Sequence, residues 1–199
     1  MLVLASASPA RLRVLRDAGL DPEVQVSGVP EDGLDHLSPD KIAGILAERK
    51  AAAVADRLRG DEQYARALVI GCDSVFDLDG LPLGKPDDAQ DAVARWRQMR
   101  GQVGRLHTGH HVVDLAAGAS VGEVATTVVR FASPDDAEIA AYVASGEPLS
   151  VAGGFTLDGR AGAFIDGIEG DPSNVIGLSV PLLRRLLAQL SVRITDLWC

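Results

Sequence analysis

The chain has 199 residues, 28 of them acidic and 19 basic, which gives a formal charge of −9. Apolar residues make up 47% and charged residues 24%, so a packed core is within reach and intrinsic disorder is excluded. A pI near 4.8 excludes the overall positive field of a nucleic-acid binder, so any phosphate must be met in a local pocket, with a metal cation expected beside it.

Cys72 and Cys199 supply neither a disulfide framework nor a CxxC metal signature. The apolar start, Met1 to Ala5, is too short for a signal-peptide core, and no apolar run reaches about 18 residues. A cytoplasmic protein with no membrane partner is expected. The basic residues are lopsided, with 16 arginines against Lys41, Lys50 and Lys85. Together with 28 alanines this reads as a genome bias, and it singles out each lysine.

Leu2 to Ala5 reads as a short buried strand. Ser8-Pro9 opens a helix, with the serine as cap and the proline in the first helical position, and Gly19 closes it. Leu12, Leu15 and Leu20 fall near one face, which suits packing on a sheet. Glu23 to Ser27 alternates like a strand and leads into an acidic loop with Glu31, Asp32 and Asp35. A second helix starts at Ser38-Pro39 and runs through Ile42, Leu46 and Lys50 to Gly60. Ala67 to Cys72 is a continuous apolar run, the pattern of a strand buried on both faces, and is expected to end at Asp73-Ser74. Asp79-Gly80 then signals a hairpin between Val75 and Leu83.

A helix from Asp88 to Arg100 is closed by Gly101, and strands follow over Leu106 to Leu115 and Val121 to Phe131, with Ala117-Gly118 at the turn. Ser133-Pro134 opens another helix that stops at Gly146, and a last helix lies over Pro181 to Leu190. Eight of the 21 glycines fall between Gly146 and Gly177, which fits either close backbone approach to a ligand or ordinary loop punctuation. Strands and helices interleave, so the class is α/β or α+β with a mixed sheet. No composition break or repeat divides residues 1–199, so one domain is expected, with two lobes around a cleft as an option.

Three familiar motifs fail. Gly80 to Pro86 is one residue short of a P-loop and carries Pro86 where a magnesium-binding hydroxyl belongs. No GxGxxG follows a strand, and Ser6 and Ser8 sit in no GxSxG elbow. His107 and His111 would face one side of a strand and His110 the other, so a three-histidine metal site is disfavoured. Asp87-Asp88 and Asp135-Asp136 lie in first helical turns, where carboxylates favour the helix dipole.

A better set remains. Ser6, Ser8 and Arg11 lie at a strand-to-helix junction, where backbone N–H groups and a guanidinium suit phosphate oxygens, although Ser8 also serves as a plain cap. Asp73 follows the most buried strand, a place where carboxylates reach a ligand crevice and where turn-starting Asp residues are also common. Lys85 is held between Gly84 and Pro86. Glu31 and Asp32 add oxygens of the kind Mg²⁺ accepts.

In order, these residues resemble the Maf (septum formation) proteins. Leu4-Ala5-Ser6-Ala7-Ser8-Pro9-Ala10-Arg11 resembles the family's LASxSPRR opening, Val69 to Val75 its VIGADTVV strand, and Gly84-Lys85-Pro86 its GKP. Tyr142 to Pro148 is similar to YxxSGEP, Val151 to Phe155 to KAGAY, and Glu169 to Leu178 to EGDYSNVVGLP. The six motifs keep their order and cover residues 2 to about 190.

The resemblance implies an elongated α/β mixed sheet with flanking helices in two lobes around a central cleft, similar to the inosine triphosphatases. It implies a cytoplasmic enzyme, usually a homodimer, that cleaves a nucleoside triphosphate to the monophosphate and pyrophosphate with a divalent cation, Mg²⁺ or Mn²⁺. Such enzymes remove non-canonical or excess nucleotides, and the family was first linked with arrest of cell division. By position, Asp73 would accept the proton of water and bind metal, with Glu31 as a second metal ligand. Ser6, Ser8, Arg11, Lys50, Ser74 and Lys85 would hold the substrate.

Ala10 and Val151 stand where the family has basic residues, and Ser74 replaces its threonine. Asp158 stands where members specific for dTTP and UTP carry a glutamine; an ionised Asp only accepts, so a base edge that donates, as in guanine, is preferred over uracil. Strict dTTP/UTP specificity is therefore expected to be lost, in favour of a guanine-type or modified nucleotide or a broad range. The rival reading is a nucleotide-sensing regulator of cell division without turnover.

Overall fold

The structure, a computed structural model, describes residues 1–34 and 36–199. Asp35 of the acidic loop lies outside them. The central strand, β3 (Leu68–Leu78), is buried for most of its length, as its apolar run requires. One of its edges pairs antiparallel with β5 (Val103–Asp114), from Leu68↔Asp114 to Asp77↔Arg105. The other edge is shared. β1 (Leu2–Leu4) runs parallel to its first part, and β4 (Leu81–Leu83) runs antiparallel to its last part through a hairpin whose Asp79 and Gly80 both have positive φ. Completing the seven-stranded sheet, β2 (Glu23–Val24) extends β1, while β6 (Ala119–Phe131) and β7 (Ile165–Glu169) extend β5, in the order β2-β1-β3-β5-β6-β7.

One face of the sheet is covered by α2 (Pro39–Leu58), which packs Ala51, Val54 and Ala55 on Val3 and Val69. The opposite face carries two separate clusters. At one end α1 (Pro9–Asp17) and α6 (Val180–Gln189) bring Leu15, Leu183 and Leu186 onto Leu4, Ile70 and Cys72. At the other end α3 (Ala89–Met99) and α4 (Asp136–Ala144) enclose Phe76, Trp96, Phe131 and Tyr142, whose rings meet edge-to-face at 5.1–5.8 Å. Each fully buried Leu or Phe in these clusters contributes roughly 1.5–3 kcal/mol. Two lobes therefore share one set of long strands, in agreement with the expected elongated α/β sheet.

Several boundaries differ from the sequence expectation. The strand expected over Glu23 to Ser27 stops at Val24, because β1 turns away into α1 and only Gln25 N still reaches Leu4 O. β3 does not end at Asp73-Ser74, because Gly109 and Thr108 of β5 continue the ladder beside them. The fourth helix starts from Asp135 rather than Ser133: Asp135 accepts from Ala137 N and Glu138 N while Glu138 accepts from Asp135 N, a complete capping box. Ser38 precedes α2 without a capping bond from its side chain. The glycine-rich stretch contains β7 and a short α5 (Pro172–Ile176) that periodicity did not reveal, since only five residues form each.

His110 faces away from His107 and His111, as the alternation of β5 predicts, and is 1% exposed. Its Nδ1–H donates to Thr108 O (2.9 Å) and its Nε2 accepts from Ser179 N (2.7 Å), so the ring is neutral. Burial pushes its pKa down to about 4. An unfolded histidine titrates near 6.5, so between these values the unfolded chain holds the extra proton. Stability is complete above pH 6.5 and erodes as pH falls toward 4. Urea unfolding at pH 7.5 and 4.5 should show His110→Gln losing on the order of 2–3 kcal/mol less than wild type over that interval. An equal loss in both proteins would contradict this.

Candidate active site

Between Ile70 and Phe76, the edge of β3 opposite β5 has no strand partner among the described residues. Alternation then sends Asp73 toward α2 and Ser74 toward α1, on opposite faces at the same gap. The sheet is bare where α2 crosses it. A Cβ on Gly71 would stand 2.6 Å from Ala51 N, and one on Gly109 would stand 2.8 Å from Gly44 N. Only glycine at both positions lets the helix lie this close, and this approach carries Lys50 to Asp73.

Lys50 Nζ donates to Asp73 Oδ1 at 2.5 Å and to Glu31 Oε1 at 2.6 Å. The Lys50 and Asp73 side chains are 11% and 10% exposed, whereas Glu31 reaches in from an exposed loop. Burial pushes the Asp73 carboxyl above the usual carboxylate range; Lys50 and Arg11 pull it back, and Glu31 adds to the rise. An acceptor of protons with raised basicity is the result. The neighbouring Cys72 thiol is pushed up to about 12 by burial, which removes it as a nucleophile.

On the other face Arg11 is fixed at every nitrogen. Nε donates to Gly177 O (2.8 Å), Nη1 to Ser6 Oγ (3.1 Å) and Nη2 to Ser74 Oγ (3.0 Å). Ser8 caps α1 by accepting from Arg11 N, and Ser6 Oγ accepts from Ser8 N. Ser74 Oγ meets Thr108 Oγ1 at 2.9 Å, and Thr108 donates to Asn174 O. The fully buried Asn174 uses its Nδ2 on Leu106 O and Thr127 Oγ1. This polar seam lies between the two apolar clusters.

Six predicted residues are thus brought together as two groups around one gap: Lys50, Asp73 and Glu31 on one face, and Ser6, Arg11 and Ser74 on the other, with Ser8 capping the helix. Lys85 and Asp158 make no hydrogen bond or ion pair with either group. Lys85 is exposed on the turn after β4, beside Gly84, whose carbonyl accepts from Gly153 N at 3.0 Å. Asp158 is ion-paired with Arg13 of α1, a contact that ties the loop after Phe155 to the first lobe. Glu147 orders that loop by accepting from Thr156 Oγ1 and Arg160 N. Thr108, Asn174 and Arg13 carried no assignment from sequence. Thr108 and Asn174 had a readable signal only in being polar within buried runs, and Arg13 had none.

Residues 1–190 match the family model described as Maf-like protein. A nucleoside triphosphate pyrophosphatase of Streptomyces coelicolor is 62% identical over 197 residues, covering 99% of this chain and 94% of its own. Proteins of the same name from Streptomyces avermitilis and Thermosynechococcus vestitus are 60% and 52% identical, over 99% and 98% of this chain and 94% and 96% of theirs. The chain belongs to the Maf family.

The close seat of α2 has a measurable consequence. Gly71→Ala must displace helix backbone and should cost about 2–4 kcal/mol in denaturant unfolding. Gly84→Ala, with open space around it, should stay within about 0.5 kcal/mol of wild type.

Proposed function

We propose that this protein is a nucleoside triphosphate pyrophosphatase that releases the nucleoside monophosphate and pyrophosphate. The observation that carries the reading is the buried Asp73, a carboxylate of raised basicity flanked by two anchored cations. Arg11 and Lys50 bind phosphate oxygens, Ser6 and Ser74 orient the guanidinium, and Lys85, in contact with neither group, is assigned to the phosphates by the family resemblance alone. Asp73 takes the proton of a water whose oxygen attacks the α-phosphorus; the bond from that phosphorus to the α–β bridging oxygen breaks, and pyrophosphate leaves. Arg11 and Lys50 offset the charge that builds on the phosphates.

The donor set fits a divalent cation. Two carboxylates already converge on one cationic atom, and Mg²⁺ is commonly held by one or two carboxylates plus substrate phosphates. Asp73 and Glu31 would hold the ion, which when bound supplies charge neutralisation and orientation of the triphosphate. Assembly as a homodimer and residence in the cytoplasm belong to the same proposal and rest on the family resemblance. No helix among the described residues is long and apolar enough to cross a membrane.

A base preference unlike that of glutamine-bearing enzymes rests on the family position of Asp158, whose carboxylate would have to exchange Arg13 for the donors of a base edge. Asp158→Gln should raise the rate on dTTP relative to dGTP, and equal dTTP rates in wild type and variant would count against a role in base choice. Ala10 and Val151 stand where the family pattern has basic residues, which is the best argument for the rival sensor reading. A panel of canonical and modified triphosphates with Mg²⁺ or Mn²⁺, assayed for monophosphate and pyrophosphate, separates the two. Turnover that falls about 10²–10⁴-fold in Asp73→Asn is expected. No turnover on any member, or an unchanged rate in Asp73→Asn, would sink the catalytic account.

A further inference from the structure

Lys50 holds both carboxylates that the pyrophosphatase reading assigns to the metal. Its Nζ lies 2.5 Å from Asp73 Oδ1 and 2.6 Å from Glu31 Oε1, so the two oxygens already converge on a spot the size of one small cation. We infer that the Lys50 ammonium occupies the divalent ion's place in the nucleotide-free protein, so that metal enters only together with the triphosphate. This rests on the assignment of Asp73 and Glu31 as the metal-binding pair.

Two properties of the cluster support it. Asp73 is 7% exposed, and a buried carboxylate without a counter-charge is costly, so the free protein needs a cation there. Lys50 is the cation α2 brings. Its single charge leaves the trio at −1, and a divalent ion could not share the same two oxygens with an ammonium in contact with both. For metal to enter, Lys50 must move to another anion. The triphosphate is such an anion, and the flexible four-carbon stem of lysine allows the swing while its base stays fixed in α2. Glu31, on an exposed loop, can follow either cation. The device keeps the buried carboxylate paired at every stage and couples metal capture to substrate capture.

The test measures Mn²⁺ binding by the loss of the free-ion electron paramagnetic resonance signal. It uses the full chain with Mn²⁺ alone, and then with Mn²⁺ plus an α,β-methylene nucleoside triphosphate. Wild type should bind Mn²⁺ alone at least about ten-fold more weakly than Lys50→Met, and Glu31→Gln added to Lys50→Met should remove the gain. The analogue itself takes up free Mn²⁺, so its arm reads the water-proton relaxation enhancement when protein is added to the preformed Mn²⁺–analogue complex. Wild type should bind that complex at least about ten-fold more tightly than Mn²⁺ alone, and no such gain overturns the inference. Lys50→Gln repeats the test should the methionine variant fold poorly, with thermal unfolding as the check. Wild type binding Mn²⁺ alone as tightly as the Lys50 variants, or no binding by those variants, overturns the inference. Turnover by wild type is scored separately: turnover without any gain in the Lys50 variants defeats the inference alone, and a gain without turnover defeats the pyrophosphatase reading alone.

Discussion

The contact between α2 and two bare strand positions sets the rest of the site. Gly71 and Gly109 face the helix as diagonal neighbours, Gly71 two residues before Asp73 on β3 and Gly109 directly opposite Asp73 on β5. With side chains there the helix would ride higher, and Lys50 would no longer meet Asp73 at hydrogen-bond distance. A buried carboxylate whose ammonium had withdrawn would then take up a proton or draw in water. The glycines thus fix packing and electrostatics with one geometric choice.

The opposite face uses a different device. Its apolar side chains form two clusters, and where they part, Ser74, Thr108, Thr127 and Asn174 form a hydrogen-bonded seam that fastens Arg11. Asn174 Oδ1 is buried there without a partner, but all three Arg11 nitrogens are bonded, which makes the guanidinium a rigid fork rather than a mobile surface charge. Asp73 and Ser74, adjacent in sequence, therefore serve two separate networks that meet only at the unpaired edge of β3. Strand alternation here delivers a carboxylate to one side of the opening and, to the other, the hydroxyl that holds the Arg11 guanidinium.

Much of this was legible in the residues. Cap-then-proline starts located α1 and α2, and the apolar run of β3 announced the central strand. The scarcity of lysine singled out Lys41, Lys50 and Lys85 alike, and only Lys50 meets Asp73 and Glu31. The missed features have physical causes. The end expected at Asp73-Ser74 reflects a local preference that pairing with β5 overrides. Ser133-Pro134 lost to the better cap two residues on. The partners of Thr108 and Asn174 were not legible, because one sequence does not reveal which strand positions become neighbours. Asp158 was read as a free acceptor, and its Arg13 partner lies 145 residues away.

The claim on which the account rests is that water activated at Asp73 attacks the α-phosphorus. Turnover of a nucleoside triphosphate in H₂¹⁸O, followed by mass spectrometry of both products, tests it directly. Attack at the α-phosphorus places one ¹⁸O atom in the nucleoside monophosphate and none in pyrophosphate. Label in pyrophosphate, or release of labelled orthophosphate with a nucleoside diphosphate, would contradict it.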